Sequence, residues 1–387
     1  MILYYIIIIL WILIIIYGYL KVKYRFWYNQ PIFHIYDLHY YLYPGIINTE
    51  LPEEENIYYN FKNIKTIPFD KVTEKDEFIL FIQNNFLRNK NFNYLPKKEN
   101  IIPYLTGLHG GDVFLSLYKR ERMIHEQEEL TEIIASMISY PIQIRINNQK
   151  MNAYYVDYLC VDSDHRKKNI APQMIQTHHY YQRHLNKNIT VSVFKREGKL
   201  NLAIPICVYT SYGFSISNMR LTPLPININL IEVGKNNITH LFDFIELNNT
   251  KFDIFLSTYI SNVLELIKTE NIYVYMLIQE QNVLAVYYFK KLCTYLQDDK
   301  EVLVCYASVN CCKNEDIFIE GMYHSIQNII KRFPKYSQLL IEGLSDNDIL
   351  IKDLYKMTTP LYQIISAYFF YNLANPSFQP EKTLILI

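Results

Sequence analysis

Glycine is scarce in this chain of 387 residues: ten glycines stand against 36 tyrosines and 21 phenylalanines. That leaves little room for glycine-dependent turns, and the aromatic surplus points to strand-rich packing. Cysteine is thin as well. Cys160, Cys207, Cys293, Cys305, Cys311 and Cys312 form no C-x-x-C pair, which argues against a structural zinc site and against a disulfide framework. Net charge is missing too, because 38 basic side chains balance 38 acidic ones. Nothing in that balance calls for nucleic acid. Half of the residues are hydrophobic, ample for a large core, and the length suits two or three domains.

What the chain does have is one long uncharged run, residues 2–20. It has about the length that crosses a bilayer as a helix. It lacks the basic start, the shorter apolar region and the small-residue cleavage site of a signal peptide. We therefore expect a transmembrane anchor. Lys21, Lys23 and Arg25 follow directly, and the positive-inside rule then places everything after the anchor in the cytoplasm, giving a single-pass membrane protein. The N-x-T sequons at Asn188, Asn237 and Asn248 would be glycosylated only if that part were luminal.

The stretch from Val156 to Ile175, VDYLCVDSDHRKKNIAPQMI, organises the rest. A β-branched and aromatic run ends in a basic loop that opens straight into a helix at Ile170-Ala171-Pro172. Proline suits the first helical turn, where its missing N–H was unsatisfied anyway. Free backbone amides and the positive end of the helix dipole then converge on one spot, a pocket for an anion such as a pyrophosphate. The spacing Arg166-x-x-Asn169-x-Ala171 reads as R-x-x-G-x-A with asparagine in the first glycine place, and Asn best tolerates φ > 0 among the other residues.

This loop resembles the pyrophosphate loop of GNAT-type acyltransferases. The longer string Y-L-C-V, four residues, then R-K-K-N-I-A-P resembles the N-myristoyltransferase signature. Tyr24 to Pro31, Y-R-F-W-Y-N-Q-P, resembles that family's opening segment over the acyl-CoA. Tyr368-Phe369-Phe370-Tyr371-Asn372, followed by N-P-S and E-K, resembles its closing strand and tail. The resemblance implies an α/β (α+β) fold of two GNAT-like lobes related by a pseudo-twofold, after one transmembrane helix: anchor 1–20, acyl-CoA lobe 21–218, and 219–387 contributing the peptide site. It also implies a donor, myristoyl-CoA, used as substrate with no permanently bound cofactor, and an acceptor, the N-terminal glycine of target proteins.

The site residues carried by the resemblance are the following. Oxyanion donors would be the backbone N–H groups of Tyr158 and Leu159. The acyl-CoA would lie against Arg25, Phe26, Trp27, the run Tyr158-Leu159-Cys160-Val161, and the loop Arg166, Lys167, Asn169, Ile170 and Ala171. The α-carboxylate of Ile387 would be the proton acceptor. The family's acidic triplet at the peptide groove reads Arg88-Asn89-Lys90 here, and its asparagine before F-L-C-V is Asp157. Such departures also leave open an inactive relative kept as an acyl-CoA-binding or scaffolding protein.

Along the chain, Asp76 to Leu87 carries helical periodicity, and Asp112 to Lys119 and Leu130 to Ile146 read as strands. His178, His179 and His184 on the helix after the loop read as surface residues, with no carboxylate or cysteine at ligand spacing. After the proline-rich segment 219–225 the same order recurs. It runs helix Phe252 to Leu266, strands near Tyr273 to Ile278, Val283 to Phe289 and Val302 to Ser308, helix Ile317 to Arg332, and strand Leu339 to Ile341. The second loop, C-C-K-N-E-D, has no basic pattern, so one CoA site is expected.

Overall fold

The computed structural model describes residues 2–53, 55–87, 93–125, 128–198, 202–219, 221–295 and 300–387. Arg88, Asn89 and Lys90 lie outside the described residues.

Two halves of the chain build the same unit. In the first, strands Phe114–His125, Glu128–Ile146 and Gln149–Val161 pair antiparallel. Helix Ile170–Leu185 then crosses over to strand Ser192–Glu197, which runs parallel to Gln149–Val161. In the second, Ile272–Gln279, Asn282–Tyr295 and Glu301–Asn310 pair antiparallel. Helix Glu315–Arg332 crosses over to Tyr336–Glu342, again parallel. A parallel neighbour requires such a crossover, and a helix is its usual form. The helices turn apolar faces to the sheet; in the second half these include Phe318, Met322, Ile326 and Ile329, all buried.

The next strand of each half pairs with the other half. Cys207–Ser215 pairs antiparallel with Tyr336–Glu342, and Tyr362–Tyr371 with Ser192–Glu197. The two exchanged strands pair with each other, with Ser366 opposite Tyr209. One sheet thus runs through both halves, and the pseudo-twofold passes through that pair. The fold is mixed α/β, two related lobes joined by exchanged strands.

The sequence reading of one helix from Phe252 to Leu266 is corrected. Ile254–Ser257 is a strand, antiparallel to residues 143–146 and parallel to Thr383–Leu386, and the helix is Ile260–Lys268. Phe252, Ile254 and Leu256 are buried in alternation, which is the strand period rather than the helical one. The first helix is Ile2–Lys23, and its side chains from Tyr4 to Tyr19 are exposed. Within it Tyr4–Lys23, of mean hydropathy 2.4, is the one candidate among the described residues long and apolar enough to cross a membrane.

Candidate active site

The site begins where two parallel strands part. Tyr154, Tyr155 and Val156 pair with Ser192, Val193 and Phe194, and the pairing stops there. On the other side of the same strand the register slips. Ser136 faces Cys160 while Ile138 faces Asp157, so Tyr158 and Leu159 form a bulge. Tyr158 takes a left-handed φ of 50°, a conformation that costs a bulky residue about 1–3 kcal/mol and must be held by its surroundings. Several contacts hold it. Its ring packs on Phe78 and Phe86, its hydroxyl lies 3.1 Å from that of Tyr94, and its carbonyl accepts from Ser136 Oγ at 3.1 Å. Its N–H donates to Asp157 Oδ1 at 2.7 Å.

Bulge and parting together open a cavity of about 510 Å³, lined by Val156 to Leu159, Ala171, Pro172, Ile175 and Phe194 to Arg196. Phe26 and Trp27 cover it, and the Trp27 ring stacks on Phe194 at 5.9 Å, as Phe194 does on Phe369 at 5.3 Å. A tether from the closing strand fixes this cover: the Tyr371 hydroxyl donates to Gln30 Oε1 at 2.7 Å. Arg25 is exposed and does not line the cavity. Cys160 is turned into the core, where burial pushes its thiol up to about 12, so it is no nucleophile at neutral pH.

The basic loop sits at the cavity's edge. Asp162 caps its first turn, accepting from Asp164 N–H at 2.9 Å. Lys167 and Asn169 have φ of 62° and 59°, so the asparagine takes the left-handed place that the sequence reserves for it. Two such residues around Lys168 fold the loop over the start of helix Ile170–Leu185, whose first amides have no helical acceptor. Lys167 and Lys168 are exposed beside those amides. Arg166 behaves differently. Its guanidinium donates to the carbonyls of Val161 at 3.1 Å and Asn85 at 3.2 Å, so it braces the loop as well as charging it.

The histidine reading is corrected. His178 is buried between Ser116 Oγ at 2.7 Å and Ser139 Oγ at 2.8 Å, and burial pushes its pKa down to about 3. His179 lies under Tyr371, lines the cavity, and is likewise lowered by burial to about 3. Both fall on the helix face turned to the sheet.

Four charges, of which the sequence reading named only Asp157, gather where the lobes meet. Lys195 donates to Glu342 at 2.8 Å, and the Tyr209 hydroxyl donates to the same carboxylate at 3.1 Å. Burial would raise the Glu342 carboxyl, but Lys195 and Lys290 hold it below its usual range. Burial lowers the Lys290 ammonium and raises the Asp157 carboxyl, the latter against the Tyr158 hydrogen bond and the charges of Lys290 and Lys195. No local motif could have found this group, because each member sits on a different strand.

Ile387 is placed elsewhere. It lines a small cavity of about 30 Å³ with Tyr104, Lys290 and Tyr306, and not the cavity at Tyr158. Lys290 links the two, since it lines the first and its charge acts on Asp157. A neighbouring cleft of about 560 Å³ shares Phe242, Ile245, Phe255, Ser257 and Thr258 with the Ile387 cavity.

The equivalent parting in the second lobe is filled. Beyond the last parallel pair, Cys305 with Ile341, Asn347 accepts from Ser308 Oγ at 2.6 Å and donates to the Glu342 carbonyl at 2.8 Å. One lobe has an open cleft beside a helix N-terminus, and the other has a plug.

A sheet shared by two crossover units, with a bulged strand parting from its neighbour beside a basic loop, defines a two-lobed GNAT-like protein. The family model described as myristoyl-CoA:protein N-myristoyltransferase, N-terminal domain, matches residues 117–207, the interval holding the bulge, the loop and the crossover helix. No curated protein matches the chain. Among solved structures, Saccharomyces cerevisiae N-myristoyltransferase with bound myristoyl-CoA is 13% identical with a TM-score of 0.69, covering 92% of this chain and 94% of that one. A second structure of the yeast enzyme with bound myristoyl-CoA is 12% identical with a TM-score of 0.70, covering 92% and 90%. A third, with bound myristoyl-CoA and inhibitors, is 13% identical with a TM-score of 0.70, covering 94% and 93%. The family-model match covers 91 of the 387 residues, and the likeness to the yeast structures, at 12–13% identity, shows that the chain shares their fold.

Proposed function

We propose that this protein is a glycylpeptide N-acyltransferase, moving a myristoyl group from myristoyl-CoA to the N-terminal glycine of target proteins. The observation that carries the reading is the open cleft at Tyr158 and Leu159 beside the helix that begins at Ile170. Lys167 and the amides of Asn169, Ile170 and Ala171 would hold the CoA phosphates, with Arg166 bracing that loop. Phe26 and Trp27 would cover the acyl chain. The edge from Asp157 to Val161, freed by the parted strands, would face the pantetheine, and the backbone amides of Tyr158 and Leu159 would receive the thioester oxygen as it gains charge.

In the transfer, the acceptor nitrogen forms the C–N bond, the C–S bond breaks, and the sulfur leaves as CoA thiolate. The nitrogen's proton would go to a carboxylate, for which we propose that of Ile387 at the end of this sequence. Residues 21–218 would bind the acyl-CoA and residues 219–387 would supply the peptide site. Residues 2–20 would anchor the chain with this machinery on the cytoplasmic side, an orientation that glycosylation at Asn188, Asn237 or Asn248 in cells would refute.

The test incubates the detergent-solubilised full chain with myristoyl-CoA and a peptide beginning with glycine, and looks for the acylated peptide by mass spectrometry. Tight binding of myristoyl-CoA with no acyl transfer would instead mark a protein that only holds the donor.

A further inference from the structure

The chain leaves its first helix without a linker. Tyr24 N–H donates to Leu20 and Tyr28 N–H to Tyr24, each at 2.9 Å, so the apolar helix runs straight into Phe26 and Trp27, the cover of the large cavity. Tyr28 is then held against that helix. Its ring lies 5.8 Å from the Tyr17 ring, its hydroxyl donates to that of Tyr17, and Lys21 lies over it at 5.8 Å. Tyr17 stands six residues before Lys23, roughly 9 Å back along the axis at about 1.5 Å per residue. Tyr28 is therefore level with the last turns of the candidate span Tyr4–Lys23, and Tyr36 adjoins it at 5.8 Å.

The segment that follows is fixed to the folded body at both ends. Ile204 N–H donates to the Phe33 carbonyl at 2.7 Å and Ile35 N–H to that of Leu202 at 2.9 Å, while Gly45 pairs with Ala374. Between these clamps the chain turns apolar side chains outward. Ile35, Leu38 and Leu42 are 51%, 74% and 76% exposed, although they sit three and four residues apart, the spacing that normally buries a helix face. Tyr41 packs its ring on Phe33 at 4.8 Å and is still exposed beside them. Charge is one-sided here. The only acid in the first 49 residues is Asp37, and it turns to His34, accepting from its N–H at 2.9 Å. Lys21, Lys23 and Arg25 are exposed. Ten of the 36 tyrosines fall in the same 49 residues. Tyrosine with lysine and arginine is the composition of a membrane–water boundary, where the ring sits at headgroup level and cations meet anionic lipid.

We propose that Tyr28, Tyr36 and the outward side chains of Ile35, Leu38, Tyr41 and Leu42 form a second membrane-contacting site, which seats the cover of the cavity on an anionic phospholipid bilayer. The proposal rests on the anchor reading above. It adds a surface of the folded body to the span, and with it an orientation. A helix alone would leave the body free to tilt over the bilayer, whereas an apolar patch level with the end of the helix and clamped to the sheet fixes one face downward. The mouth beside Phe26 and Trp27 is then at the lipid surface, and an acyl chain passes between bilayer and cavity without crossing water.

The experiment places nitroxide labels on the full chain in phospholipid nanodiscs containing phosphatidylserine and compares their access to oxygen, which dissolves in lipid, with their access to a water-soluble nickel chelate. Cys311→Ser and Cys312→Ser remove the accessible thiols, since the other four cysteines are buried. Labels at Leu38→Cys and Leu42→Cys should meet oxygen more than nickel. Labels at Ile226→Cys and Leu247→Cys, at least as exposed but in the second lobe, should show the reverse. Nickel-dominated access at Leu38 and Leu42 overturns the proposal, as does the same reading at all four sites, or dipolar broadening between two chains, which would mark a second copy on this face. A label at Ile14→Cys separates the two readings. Oxygen-dominated access at Ile14 with nickel-dominated access at Leu38 and Leu42 would keep the anchor and overturn the second contact, whereas nickel-dominated access at Ile14 would overturn both.

Discussion

Lys195 and Glu342 meet at 2.8 Å, and they are the same residue position in the two halves. Each is the first residue beyond the last parallel pair of its lobe: Phe194 with Val156 in one, Ile341 with Cys305 in the other. The pseudo-twofold brings them together as opposite charges next to the Tyr209 and Ser366 pair. Where symmetry would place two like side chains face to face, the sequence has placed an ion pair that joins the lobes beneath the cavity.

Breaking that pair should be costly. The Glu342 side chain is 5% exposed, and removing one partner of a buried pair typically costs about 3–5 kcal/mol because the other charge stays buried. Lys195→Met should therefore lower the urea midpoint more than the double variant Lys195→Met with Glu342→Leu. Glu342 is held below its ordinary range when folded. Its stabilisation is thus complete above the unfolded carboxyl pKa and lost as pH falls through the lower folded value. Glu342→Gln should flatten that part of the pH dependence of unfolding.

The loop at Lys167 gives a prediction about the donor. Lys167 and Lys168 are exposed beside free helix amides, whereas Arg166 is tied to two carbonyls. Replacing both lysines by alanine should weaken myristoyl-CoA binding by about 1–3 kcal/mol at low salt, and by less as salt screens the phosphates. Arg166→Ala should in addition lower thermal stability, since it removes a brace between the loop and Asn85. Calorimetric titration at two ionic strengths, with a melting curve for each variant, checks both.

His178 predicts an acid sensitivity of its own. Its pKa falls from 6.5 to about 3 on folding, so the neutral ring is favoured in the native state. The contribution to stability is then full above about 6.5 and declines as pH drops toward 3. His179 adds the same sign. His178→Gln should destabilise at neutral pH, because Ser116 and Ser139 lose a matched partner, yet should lose less further stability between pH 6.5 and 4. Chemical denaturation at several pH values reads both effects.

What was legible in the sequence was local. The strand, basic loop and helix around Asn169 follow from residue types within twenty positions, and Asn169 takes the left-handed backbone that its identity suggests. The repeated order of elements was legible for the same reason. What escaped was set by pairing across the chain. The exchange of Cys207–Ser215 and Tyr362–Tyr371 between halves and the meeting of Lys195 with Glu342 depend on residues more than a hundred positions apart, and the plug at Asn347 reaches back 39 positions to Ser308. Short strands also escaped. Ile254–Ser257 is only four residues long, too few for alternation to outweigh the helical pattern that follows it.

The last prediction concerns Ile387. It follows strand Thr383–Leu386, whose parallel pairing with Ile254–Ser257 threads the tail into the sheet. Leu384 and Ile385 are buried, so the tail cannot slide without exposing apolar surface. Ile387 then packs against the same core cluster as Tyr158 and lines a cavity with Lys290. A carboxylate at that position would lie among Tyr104, Tyr306 and the Lys290 ammonium, whose field reaches Asp157. We expect that removing Leu386 and Ile387, or adding a few residues after Ile387, abolishes acyl transfer while leaving myristoyl-CoA binding nearly intact, because the cavity at Tyr158 that we propose for the donor does not include Ile387. Single-turnover acylation, measured beside equilibrium binding of the donor, separates the two effects. An extended chain that acylates the peptide at the unextended rate would show that the proton leaves by another group, and Asp157, the carboxylate on the donor cavity's wall, would be the next to replace.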